Sequence, residues 1–253
     1  MLTAAAVCPH PPALVPEMTG SAWRDGVPGL AGSAKAAQEL GRLRTACDTA
    51  TAWLLAQRPD LLVIVGGDGR SAEYPAAAPG SLAAFGLPGK AGDGAPALPL
   101  SLTIGRWLLA RAVPRDDERG ASPTLSLVSV AWSAPRAGCL GLGADLASRA
   151  PRVALLVMGD GTARRARGVP GAADPEAERY DAGVAAALAG ADAAKLAGLD
   201  PGLSAELFAA GRAAWQVLAG AAEAAGPAGF RGELRYAATP FEVTYFVATW
   251  LAD

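Results

Sequence analysis

Two apolar runs, Leu61 to Val65 (LLVIV) and Arg152 to Met158 (RVALLVM), limit what this chain can fold into more than any other feature. Stretches rich in Val, Leu and Ile without polar alternation are typical of strands covered on both faces, as in a parallel sheet between helices. Leu125 to Trp132 (LSLVSVAW) and the small-residue segment Thr3 to Cys8 add two further strands. The latter must stop at Pro9-His10-Pro11-Pro12, because proline has no N–H to give to a ladder. The spacing predicts a helix from about Ser33 to Arg58, where Leu40, Leu43, Cys47, Ala50 and Leu54 recur at steps of three and four. Ser33 would cap that helix and Pro59 would end it. Further helices are expected at Leu100 to Ala112, Cys139 to Arg149, Pro175 to Ala189 and Ser204 to Ala225. Residues 75 to 99 read as a long irregular loop. Two strand-like runs close the chain, Glu233 to Ala238 and Val243 to Trp250, and suit an antiparallel pair. The alternation of strands and helices indicates an α/β fold with a largely parallel central sheet, and no linker divides residues 1–253 into two domains.

Composition narrows the function classes. A chain of 253 residues with 51% hydrophobic content is long enough to bury a sizeable core and too apolar to be disordered. A formal net charge of -2 gives no basic footprint for nucleic acid. Gly or charge interrupts every apolar run before the roughly 18 residues of a membrane span. The first basic residue is Arg24, so no secretory leader is expected and a cytoplasmic location follows. The 3 cysteines, Cys8, Cys47 and Cys139, form no CxxC pair and read as buried free thiols. The sharpest limit is that the chain holds 1 histidine, which excludes any site built from two histidines of one chain.

Ligands of open α/β sheets bind beyond the carboxyl ends of the strands. Three candidates stand there: His10 after the first strand, Asp68 in VIVGGDG, and Asp160 in LLVMGDG. A histidine with two carboxylates can hold a divalent metal or position a water, with His10 and Asp160 as the catalytic pair. Arg70, Arg164 and Arg165 follow the aspartates and can receive an anion; Asp68, Arg70, Thr162 and Arg164 form the expected ligand-binding set. Each residue also has a plain structural role open to it. Asp between glycines is a common turn and helix cap, and His10 between prolines can lock a loop onto a carbonyl. Trp215 and Trp250 are expected in the core, and the polar members of the helix carrying Glu206, Arg212 and Gln216 are expected to face solvent or a rim.

The segments AVCPHPPALVPE, VIVGGDG, LLVMGDGTARR and AAGRAAWQVLAGAA, in that order, resemble the LigB-type catalytic-subunit family of class III extradiol ring-cleavage dioxygenases, most of all an Ala-rich actinobacterial branch. The resemblance spans nearly the whole chain. It implies a three-layer α/β/α domain with a pocket at the strand ends. It also implies iron(II) held by two histidines and a carboxylate, with a further histidine as acid/base. His10 matches the first ligand. Asp68 stands where the second histidine would be, and Thr162-Ala163-Arg164 where the acid/base histidine would be. The carboxylate would precede Trp215, with Glu206 the nearest candidate and Gly211 at the alternative position. The metal set carried over is therefore His10, Asp68 and Glu206, harder ligands that favour a divalent ion other than redox iron.

These residues point to a dioxygenase-like protein without extradiol ring cleavage that binds a small ligand or partner in the strand-end crevice. The alternative is an enzyme of dioxygenase or hydrolase type, metal-dependent or metal-free, using His10, Asp68 and Asp160. A homo-oligomer or scaffold subunit is compatible with either.

Overall fold

Each expected strand forms, and together they build one sheet. In the computed structural model, which describes residues 1–19, 34–87, 97–112, 123–164, 174–226 and 228–253, the strands are β1 (Leu2–Cys8), β2 (Leu61–Asp68), β3 (Ala72–Tyr74), β4 (Thr124–Ala131), β5 (Val153–Met158), β6 (Phe230–Ala238) and β7 (Tyr245–Ala252). Their order is β3-β4-β2-β5-β1-β7-β6. The central strands β4, β2, β5 and β1 pair in parallel, while β3, β7 and β6 join antiparallel at the flanks. The short β3 lies just before the stretch expected to be irregular and is a strand the sequence did not announce. It survives as an edge strand because β4 offers it an open row of hydrogen-bonding groups.

The helices are α1 (Ala34–Ala56), α2 (Leu100–Ala112), α3 (Arg136–Ser148), α4 (Pro175–Ala189), α5 (Ala193–Ala197), α6 (Pro201–Glu206) and α7 (Arg212–Ala224). The Ser33 cap and Arg165 lie outside the described residues. Alternate residues of each buried strand feed two cores. Leu62, Ile64, Leu156 and Met158 pack with α1 and α2. Val63, Val65, Leu155 and Val157 pack with α3, α4 and α7 on the other face. The result is a three-layer α/β/α arrangement. Trp215 and Trp250 are fully buried, as expected. The three cysteines are buried free thiols.

One expected helix is two. The span Ser204 to Ala225 breaks between Glu206 and Arg212, with Phe208 in the left-handed region at φ 55. The Ala209 amide donates to the Ser204 carbonyl at 2.8 Å, closing the end of α6. Ala-rich sequence propagates a helix well, so periodicity concealed a break that tertiary contacts impose.

Candidate functional site

Cys8, Met158 and Gly66 share one row across β1, β5 and β2. His10, Asp160 and Asp68 each stand two residues beyond it, so the chain topology does bring the three expected residues to neighbouring strand ends. Side-chain geometry joins only two of them. The His10 backbone N–H donates to Asp160 Oδ1 at 2.8 Å. His10 Nδ1 stands 3.4 Å from the same oxygen, close enough for an ion pair with a protonated ring but out of hydrogen-bond alignment, and it is buried without another partner among the described residues. Asp68 is half-buried at the end of β2, and its backbone carbonyl takes the Trp132 amide at 2.9 Å.

Several expected assignments are corrected by their surroundings. Among the described residues, no three His, Cys, Asp or Glu side chains are grouped so that they can hold a metal ion. His10, Asp68 and Glu206 are therefore not a ligand set: Glu206 ends α6 with its side chain exposed. The donors present do not fit the facial triad of iron(II). Thr162 is fully buried and gives Oγ1 to Asp181 Oδ2 at 2.6 Å and its amide to Asp181 Oδ1 at 3.1 Å. It is an internal clamp and not a ligand contact. Arg164 pairs with Asp174 at 2.9 Å and Glu176 at 3.6 Å, which commits its guanidinium to the start of α4. Arg70 is exposed, and its carbonyl accepts Ser129 Oγ at 2.8 Å.

The glycines around the aspartates are packing positions. A Cβ on Gly66 would meet Ser101 of α2 at 2.6 Å, and one on Gly67 would strike the Trp132 indole on the opposite face. A Cβ on Gly159 would lie 2.7 Å from Gly211 Cα and 2.9 Å from Trp215 Nε1, itself a buried donor without an acceptor. Close approach of neighbouring elements explains these glycines without any phosphate.

A further feature near the strand ends lies on the other side of the sheet from the row of Cys8, Gly66 and Met158. A cavity of about 570 Å³ opens beyond β4, lined by Trp132, Pro201, Ala205, Phe208, Arg212 and Ala213, among others. Neither His10, Asp68 nor Asp160 contributes to its wall. Trp132 and Phe208 are 53% and 67% exposed, unusual for such large apolar side chains. Arg212, expected at a surface, is 2% exposed, and Gln216 is wholly buried. Arg212 Nη1 donates to the Ala134 carbonyl at 2.7 Å and Gln216 Oε1 at 3.0 Å, while Nη2 donates to the Trp132 carbonyl. Gln216 Nε2 in turn donates to the carbonyls of Ala197 at 3.0 Å and Leu199 at 2.8 Å. Burial raises the nearby Cys139 thiol pKa despite the opposing pull of Arg212. The wall is thus fixed by a buried polar network that periodicity could not reveal, because Arg212 and Gln216 are one helical turn apart and look like a solvent stripe.

No family model matches the chain, and no curated protein matches it. Among solved structures it is similar to one titled uncharacterized protein JW3007 from Escherichia coli K12, at 15% identity and a TM-score of 0.47, covering 99% of this chain and 100% of that one.

Proposed function

We propose that this chain is a dioxygenase-like protein without extradiol ring-cleavage activity, and that it binds a small ligand at the carboxyl ends of the strands. The observation that carries this proposal is the cavity beyond β4, which joins exposed aromatic side chains to a rigid buried wall. Sites of this volume, mostly apolar with a few fixed polar groups, are the usual form of small-molecule pockets. The absence of ring cleavage rests on the donor set. Among the described residues His10 has one carboxylate in ion-pair distance, and Ala163 stands where the resemblance would put an acid/base histidine.

The test is metal analysis of untagged protein, then oxygen uptake with catechol after anaerobic iron(II) loading. The proposal expects substoichiometric iron and uptake equal to a blank without protein. Stoichiometric iron with catechol-dependent uptake would overturn it. Binding at the cavity is checked separately, through the response of Trp132 to added ligands.

The His10–Asp160 pair favours a second reading, an enzyme working through His10, Asp68 and Asp160. Hydrolysis of simple esters that disappears in both His10→Gln and Asp160→Asn would support it. Hydrolysis indifferent to both substitutions would remove its basis.

A further inference from the structure

The wall of the cavity beyond β4 contains a buried arginine that, among the described residues, is hydrogen-bonded but forms no ion pair. Arginine stays protonated under all ordinary conditions. Arg212 is 2% exposed, and among the described residues no carboxylate stands within ion-pair distance of it. Carbonyl and amide oxygens satisfy Nη1 and part of Nη2, but they supply hydrogen bonds and no net negative charge. Nε–H makes no hydrogen bond among the described residues and is not one of the buried donors left without a partner. Buried charges are ordinarily paired, because an isolated one is expensive to remove from water.

The position of Arg212 sharpens this. It is the first residue of α7, a helix of 13 residues whose N-cap, Gly211, has no side chain to accept the free amides of the first turn. The amino end of a helix carries positive partial charge, so a cation is disfavoured there and an anion is stabilised. Two features, a buried guanidinium hydrogen-bonded only to uncharged groups among the described residues and a helix start without a side-chain cap, meet at the same cavity wall, to which Arg212 and Ala213 both contribute. Trp132, Pro201 and Phe208 give the rest of the wall an apolar character.

We infer that this cavity is a receptor for a small organic anion, its carboxylate or phosphate head held by Arg212 and the start of α7 and its apolar body lying against Trp132 and Phe208. The inference rests on the ligand-binding role proposed above. It adds the chemical class of the ligand.

The probes are hexanoate, hexanamide and hexyl phosphate, titrated into the 15N-labelled full chain while the indole N–H signal of Trp132 is followed. That signal is assigned by its loss in Trp132→Phe. Hexanoate or hexyl phosphate should give a saturable shift with a Kd at least about tenfold lower than hexanamide, the worth of a charge-assisted hydrogen bond. Whichever anion binds tighter identifies the head group. Arg212→Gln should bring the anions to the level of hexanamide. Ala205→Phe, which fills the cavity while keeping Arg212 in the sequence, should abolish all shifts. Should Arg212→Gln fail to fold, the comparison of anion with amide on the unaltered chain decides alone. Equal affinity for hexanoate, hexyl phosphate and hexanamide, all lost in Ala205→Phe, would overturn the anion assignment and leave the cavity as a neutral-ligand site. No response of Trp132 to any of the three would overturn both.

Discussion

Asp181 on α4 accepts both the hydroxyl and the amide of Thr162, at 2.6 Å and 3.1 Å, and so ties the segment after β5 to the helix layer. Both residues are buried. Hydrogen bonds to a charged group contribute roughly 1.5–3 kcal/mol each, and an orphaned buried partner adds to the loss. Asp181→Ala should lower unfolding free energy by about 3 kcal/mol. Thr162→Val, which spares the amide bond, should cost about 1–2 kcal/mol. Urea unfolding of both variants measures this, and losses under about 0.5 kcal/mol would show that the clamp is unimportant.

Helices α3 and α7 touch through glycines. A Cβ on Gly143 would collide with backbone atoms of Val217 and Ala221, and one on Gly220 with the backbone of Leu140. Two positions away in the same helix, Gly141 has open space around it. Gly143→Ala should therefore destabilise the protein by 2 kcal/mol or more at order-of-magnitude precision, since backbone cannot yield as a side chain does. Gly141→Ala should instead stabilise by roughly 0.5–1 kcal/mol, because alanine loses less entropy in a helix. Thermal melts of the pair give opposite signs if the close helix contact is real.

Burial pushes the Tyr180 phenol up to about 12, even though its hydrogen bond with Ser204 acts the other way. A tyrosine in the unfolded chain ionises near 10. Stability from this group is thus complete below about pH 10 and is lost as pH rises toward 12, where the folded state still holds a proton that the unfolded state has released. The loss over that window is on the order of 2 kcal/mol. Tyr236, also raised to about 12 chiefly by burial, adds to the slope. Tyr180→Phe should flatten the fall in urea midpoint between pH 10 and 12 without removing it, and an unchanged slope would contradict the assignment.

Phe208 holds φ 55, a conformation that costs a non-glycine residue roughly 1 kcal/mol, and it does so with its ring 67% exposed at the cavity. Phe208→Gly should raise the melting temperature while weakening any ligand held against the ring. A variant that is more stable and binds equally well would show that the aromatic side chain has no part in the site.

The strands, the parallel centre of the sheet and the placing of His10, Asp68 and Asp160 at neighbouring strand ends were legible in the sequence, because unbroken apolar runs such as LLVIV report burial on both faces locally. The expected fates of Trp215 and Trp250 followed from the same local patterning. The errors share one cause. Thr162, Arg164 and Glu206 have the right chemistry for a site, yet Asp181, Asp174 and the end of α6 take them, and those partners are distant or unremarkable in sequence. Arg212 and Gln216 look like a polar stripe and lie buried against the carbonyls of Trp132, Ala134, Ala197 and Leu199. Local period determines which residues share a face. Only the packing of α6 and α7 beyond β4 decides which face is covered, and hence where an arginine is buried against uncharged acceptors.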